Sequence, residues 1–126
     1  MQSSAAPRCS LTQHDESLRL RHMLDHGREA LTLIQGVDQR SFEGNRVLQL
    51  AIVHLLAIVG EAAARTPDPL KREHTSIPWR DISDLRNRLI HGYDTVDLEI
   101  VWTMLTVDLP ALVSQLGAIL DETKDK

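Results

Sequence analysis

Residues 86–94 read Arg-Asn-Arg-Leu-Ile-His-Gly-Tyr-Asp. Two guanidiniums, an amide, an imidazole and a phenol fall within eight positions around one glycine. That set suits an RNA phosphodiester. Cleavage by the neighbouring 2′-OH needs a proton acceptor, an acid for the leaving oxygen and positive charge on the phosphorane. Histidine serves both proton roles near neutral pH, and arginine stabilises phosphate charge without a metal. Each residue alone has a plainer reading. Arg86 can snorkel or pair with a carboxylate such as Glu61, His91 can cap a helix end, and Tyr93 can be a half-buried ring closing the turn after Gly92.

The element that must position this cluster is a third helix, predicted from Pro78 to His91 and ending at Gly92. On a wheel of 100° per residue, Trp79, Ile82, Leu85, Leu89 and Ile90 share an arc that faces the core, and Arg86 falls inside it. A guanidinium there is costly unless it is paired or opens onto a pocket. His91 stands five positions later, about 140° away on an ideal helix. Three geometries bring the two to one phosphate: the helix loosens at its end, the Arg side chain bends, or two copies of the helix meet. Asn87 and His91, four apart, share a face.

Around this helix the pattern is α throughout. Residues 1–14 are small and polar, and are expected to be a flexible tail preceding a single domain over 15–126. From Asp15 an amphipathic stripe runs through Leu20, Met23, Leu24, Gly27, Leu31 and Ile34. Gly36 breaks it, and Ser41 is the expected N-cap of a second helix, about 42–65. That helix is apolar on nearly every side from Val47 to Val59, which in so short a chain hints at association between copies. Pro67 and Pro69 end it, and residues 66–77 form a connector with room for one helical turn. A fourth helical region, about 96–122, is kinked or split by Pro110, with Asp108 as a candidate cap. The expected fold is all-α, an up-and-down bundle of four to five helices.

Composition agrees. The chain has 126 residues, 42% apolar and 25% charged, one domain's worth of ordinary globular material. Its aromatics are Phe42, Trp79, Tyr93 and Trp102. The single Cys9 excludes an internal disulfide and a cysteine zinc site, which fits a reducing compartment. Neither a secretory signal nor an apolar run of membrane-spanning length is read from the sequence, so a cytoplasmic protein with no membrane partner is expected. Net charge is −4, which argues against coating nucleic acid by bulk electrostatics. Residues 65–91 nonetheless hold six basic and four acidic side chains, whereas 92–126 hold two and seven. A focused anion site in the middle is compatible with that asymmetry.

Other candidates are weaker. His22 and His26, with Asp25 between them, have ligand spacing but no evident third ligand, and read as solvent-facing. His54 is expected to be a hydrogen-bonded core or interface residue. His14 and His74 fall in expected loops. Glu61 either holds Arg86 or is an exposed acid paired with Arg65 at i+4. No Gly-rich phosphate loop, Cys–His pair or carboxylate cluster is present in the sequence.

Arg86-x4-His91-x-Tyr93 matches the R-x4-H-x-Y signature of HepT-like toxins in the HEPN superfamily. The chain resembles that family further in Ile58–Ala63 (IVGEAA), Ile77–Ile82 (IPWRDI), Val101-Trp102 and Leu109–Leu112 (LPAL), in order and spacing over roughly residues 16–122. The resemblance implies a homodimeric, metal-independent endoribonuclease with no cofactor. It would be the toxin of a type II-like toxin–antitoxin module whose antitoxin is a minimal nucleotidyltransferase. It assigns Arg86 to the scissile phosphate and His91 to acid–base work in a cleft between two chains. Asn87, Arg88 and Glu61 would bind RNA or support the site. Tyr93 would be the hydroxyl that receives AMP from the partner, silencing the toxin. Some relatives bind nucleotides or scaffold partners without cutting RNA. A non-catalytic helical partner or substrate-binding subunit of a nucleotidyltransferase is therefore the alternative. A plain structural dimer holding a buried Arg86–Glu61 pair is a third reading.

Overall fold

A computed structural model of the chain describes the backbone of residues 5–91 and 95–125, and of these the side chains of all but 5–16, Arg86, Ile90, His91, Thr95 and 122–125. The described residues are overwhelmingly helical, as an all-α chain requires. They divide into α1 (Ala5–Leu33), α2 (Gln39–Glu43), α3 (Arg46–Ala64), α4 (Asp68–Glu73), α5 (Trp79–Ser83), α6 (Leu85–Leu89), α7 (Leu98–Thr103), a π-helical turn (Met104–Asp108) and α8 (Leu109–Asp125). The divisions exceed the four to five helices predicted, because short breaks cut regions whose hydrophobic period runs on unbroken.

The first break comes after α1. The period predicts a start at Asp15, but the helix starts at Ala5, upstream of where the apolar stripe begins. Ala5 and Ala6 are strong helix formers, and Pro7 is tolerated in a first turn, where its missing N–H has no partner to lose. His14 accordingly lies on helical backbone rather than in a loop. The chain then turns at Gly36, whose φ of 75° needs a glycine.

The expected Ser41 cap is replaced by two caps. Asp38 caps α2, accepting from the Ser41 backbone N–H at 2.8 Å, and Asn45 caps α3, accepting from the Leu48 N–H at 3.0 Å. Buried Gln49 ties the two helices together. Its side-chain amide donates to the Phe42 and Glu43 carbonyls at 3.0 and 2.9 Å, satisfying polar groups that would otherwise be stranded in the core. Phe42 is fully buried, its ring 5.5 Å from that of Trp102.

α3 is the central element, packed on α1, α5 and α6, while α1 also packs on α8. Met23 and Leu24 of α1 meet a core that includes Ile52, Leu56 and Val59 of α3 and Leu105, Leu109 and Leu116 from the C-terminal segment, all essentially without solvent contact. Each such side chain contributes about 1.5–3 kcal/mol on burial. By length and composition alone, α3 and the segment Leu98–Asp121 could each cross a membrane. Their inward faces form the bundle core, and such core helices pass that test as well.

The third helix of the sequence reading is two short helices. The arc predicted to face inward does so: Trp79, Ile82, Leu85 and Leu89 are buried. The helix breaks at Asp84, whose φ of −93° and ψ of 9° depart from helical values and whose carboxylate accepts from the Asn87 side-chain amide. It ends at Leu89 rather than His91. Ile90–His91 is extended and pairs antiparallel with Thr95–Val96, with Ile90 opposite Val96 and His91 opposite Thr95. The Asp97 N–H also donates to the Leu89 carbonyl at 2.9 Å, closing the hairpin base. Gly92, the expected helix stop, lies outside the described residues.

Pro110 divides the last region as its chemistry demands. Proline removes an N–H bond and crowds the carbonyl four residues back, and the wider π-helical turn immediately before it accommodates both effects. Asp108 caps nothing there, since Leu109 continues in helical backbone, with φ −66° and ψ −43°. Asp97 instead caps α7, accepting from the Ile100 N–H at 3.1 Å.

Candidate functional site

The backbone carries Arg86 on α6 and His91 on the following extended pair. The 140° separation of an ideal helix therefore does not apply, because helical geometry stops at Leu89. Of the three geometries considered for the pair, loosening at the helix end is the one the backbone adopts. A helix-dipole effect on His91 falls away with it, as His91 is in no helical turn. The side chains of Arg86 and His91 lie outside the described set, and Tyr93 lies outside the described residues altogether.

The helix that carries Arg86 packs closely, with α5, on α3. Gly60 makes this possible: a Cβ there would stand 2.9 Å from the Ile82 carbonyl oxygen and 3.5 Å from Leu85 Cβ. With Ala57 and Ala64 also small, a narrow cavity of about 160 Å³ remains between α3 and the α5–α6 junction. Glu61 and Asn87 both line it, together with Ser83. The Asn87 amide donates to Asp84 Oδ1 at 2.6 Å, which fixes the side chain and leaves its carbonyl oxygen as the group able to turn toward a ligand.

Glu61 is exposed and stands 3.8 Å from Arg65 Nε, so the i+4 pairing expected as one alternative is present. Both side chains are more than three-fifths exposed (73% and 62%), and a pair so hydrated contributes little to stability. Arg88 goes elsewhere. It is half-buried on the opposite side of α6, lining cavities with Asp108 and Glu99 rather than with Glu61 and Asn87. Of the supporting residues predicted from sequence, Glu61 and Asn87 are brought together and Arg88 is not.

The remaining histidines also find places. His26 Nδ1 donates to the His22 carbonyl at 2.7 Å, and the two rings meet edge-on at 6.1 Å. His74 lies in the connector as expected, as the C-cap that follows α4, 3.8 Å from Glu73, and its carbonyl accepts from the Trp79 indole at 2.9 Å. His54 is exposed rather than in the core, which leaves the interface alternative for it. It lies on an outer stripe of α3 with Val47 (78% exposed), Leu50 (51%) and half-buried Ile58. The apolar sequence concealed this, because every face of α3 reads alike.

Sequence reasoning passed over the cations flanking the Glu61–Asn87 cavity. Arg19, His22 and Arg65 line one neighbouring concavity, and Lys71 and Arg80 line another. The signal was the basic excess in residues 65–91, but nothing in the sequence brings α1 beside the end of α3.

These features define a small helical bundle whose polar cluster sits at a helix break beside a narrow cavity. The match to known proteins is specific. The family model described as Ribonuclease HepT-like matches residues 23–119, which include the whole Arg86–Tyr93 signature. The chain belongs to the HepT-like family of the HEPN superfamily. It is 31% identical over 105 residues to a protein of Caldanaerobacter subterraneus subsp. tengcongensis named "Putative RNase", covering 83% of this chain and 94% of the relative. It is 35% identical over 88 residues to the "Probable ribonuclease HepT" of Thermococcus cleftensis, covering 67% and 80%. A Methanocaldococcus jannaschii protein, also named "Putative RNase", is 24% identical over 109 residues, covering 86% and 100%. No solved structure matches the chain.

Proposed function

We propose that this protein is a metal-independent endoribonuclease acting as a homodimer in the cytoplasm. The observation that carries the reading is the signature Arg86-x4-His91-x-Tyr93 inside the matched region, at a point where the backbone leaves the helix between its two key residues. His91 takes the proton from a ribose 2′-OH as its oxygen attacks the adjacent phosphorus. The 5′-oxygen leaves with a proton from an imidazolium, giving a 2′,3′-cyclic phosphate. Arg86 bears the charge that builds on the phosphorane oxygens. Asn87, held by Asp84, orients the phosphate from the edge of the cavity. The names of the relatives support the class of reaction.

The second copy is proposed to cover the outer stripe of α3. Val47 and Leu50 are more exposed than isolated aliphatic side chains of a core helix need be, and the stripe continues to exposed His54, about two turns short of the cavity at Glu61. A copy seated there would stand beside the motif and could complete it. The family resemblance supplies the control: a minimal nucleotidyltransferase antitoxin joins the Tyr93 phenol oxygen to the α-phosphorus of ATP, releasing pyrophosphate. The added phosphate would place negative charge two residues from His91 and oppose RNA. The reading is tested by incubating the purified protein with RNA in EDTA beside its His91→Ala variant.

A further inference from the structure

The Glu61–Asn87 cavity does not stand alone. It shares Glu61 with the concavity of about 380 Å³ between α1 and α3, lined by Arg19, His22 and Arg65. It shares Ala64 and Ser83 with a second concavity of about 660 Å³, lined by Lys71 and Arg80. The three hollows thus adjoin in series across the C-terminal end of α3, and taken together they outline a trough beside the motif helix. Among the described residues, four permanent cations stand along it against two carboxylates, Glu61 and Asp84, in a chain whose net charge is −4.

Both carboxylates are already engaged, Glu61 loosely with Arg65 and Asp84 with Asn87. The Arg65–Glu61 contact is long and hydrated, so a phosphate oxygen can take the guanidinium at small cost. Arg19 is half-buried against the groove, so its stem is packed while its head is available. The opposite surface of α6 shows the contrast: there Arg88 lies among Glu99 and Asp108, where an anion is repelled.

We infer that this trough is the path of a single RNA strand, with Arg19 and Arg65 holding phosphates on one side of the scissile bond and Lys71 and Arg80 holding them on the other. The inference rests on the ribonuclease reading for the place of the scissile bond, but not for the binding itself. A single strand fits better than a duplex. Attack of a 2′-OH in line with the leaving oxygen requires backbone torsions that an A-form helix forbids, and a flexible strand can follow a bent trough between helices. Guanidinium and ammonium contacts to phosphate fix position rather than sequence.

The test measures binding of a mixed-sequence single-stranded RNA oligonucleotide to the full chain carrying His91→Ala, over a range of salt. Three double variants are compared in that background: Arg19→Ala/Arg65→Ala, Lys71→Ala/Arg80→Ala, and Arg21→Ala/Arg40→Ala, which makes the same charge change on exposed arginines outside the trough. Circular dichroism confirms that each folds. Each trough variant is expected to weaken binding about tenfold and to flatten the salt slope by about 1.4, the loss of two single-strand phosphate contacts. The outer variant keeps its affinity. Equal weakening by all three means bulk charge and overturns the inference, as does displacement of the RNA by polyglutamate at equal charge, which would mark an acidic-peptide site. If the trough variants lose RNA while the wild-type protein leaves RNA uncut, the trough stands and the nuclease reading falls. If wild type cuts RNA and the trough variants bind it unchanged, the trough falls alone.

Discussion

Gly60 and Ile82 approach so closely that a methyl group on the glycine would stand 2.9 Å from the Ile82 carbonyl oxygen. That oxygen belongs to backbone and cannot swing aside. The contact sets how near α5 and α6 lie to α3, and so the width of the cavity that holds Glu61 and Asn87.

Gly60→Ala should therefore push α5 off α3. Overpacking of this kind costs about 1–3 kcal/mol. Thermal or urea unfolding reads the stability loss, and RNA cleavage should fall further than stability does. Unchanged stability with full cleavage would mean that the spacing is not fixed by this glycine.

Asp38 supplies the pH-dependent prediction. Hydrogen bonds from Ser41, first from its backbone N–H and then from its hydroxyl, hold the carboxyl below its ordinary 3.8. A depressed carboxylate contributes its cap above the ordinary value and loses it as pH falls through the lowered one. The Ser41 amide resonance should titrate with a midpoint below 3.8. A midpoint at or above that value would show that the cap is not formed.

Leu50 tests the second copy. It is 51% exposed at the middle of the outer α3 stripe, and a glutamate there faces water in a monomer but meets its own symmetry mate in a dimer. Leu50→Glu is expected to sediment as a monomer with native helicity and to lose RNA cleavage. A variant that keeps the wild-type mass would move the interface away from α3.

Much of this arrangement is legible from residue types. The inward arc of Trp79, Ile82, Leu85 and Leu89 follows from period alone, and all four are buried. Pro110 announces a disturbance, and the π-helical turn answers it. Breaks set by single hydrogen bonds are harder to see. Nothing in the pattern distinguishes Ser41 from Asp38 or Asn45 as a cap, since all three residue types serve. The end of α6 differs from the pattern because Ile90 continues the apolar stripe, whereas the backbone pairs Ile90 with Val96. Of the site, Glu61 and Asn87 line one cavity because α3 and α6 pack together, a neighbourhood that their distance in the chain does not announce. Arg88 faces Asp108 and Glu99 because adjacent residues on a helix point about 100° apart. The flanking cations were hidden for a different reason: Arg19 and Arg65 are far apart in the chain and are joined only by the packing of α1 on α3.

The central claim is that Arg86 and His91 act together on an RNA phosphodiester without a metal. The direct measurement is cleavage of a single-stranded RNA by the purified protein in EDTA, with His91→Ala and Arg86→Ala beside it and fold checked by circular dichroism. The wild-type protein should leave 2′,3′-cyclic phosphate ends, and each variant should be slower by about a hundredfold or more. Intact RNA with the wild-type protein, or equal cutting by the folded His91→Ala variant, would contradict the account.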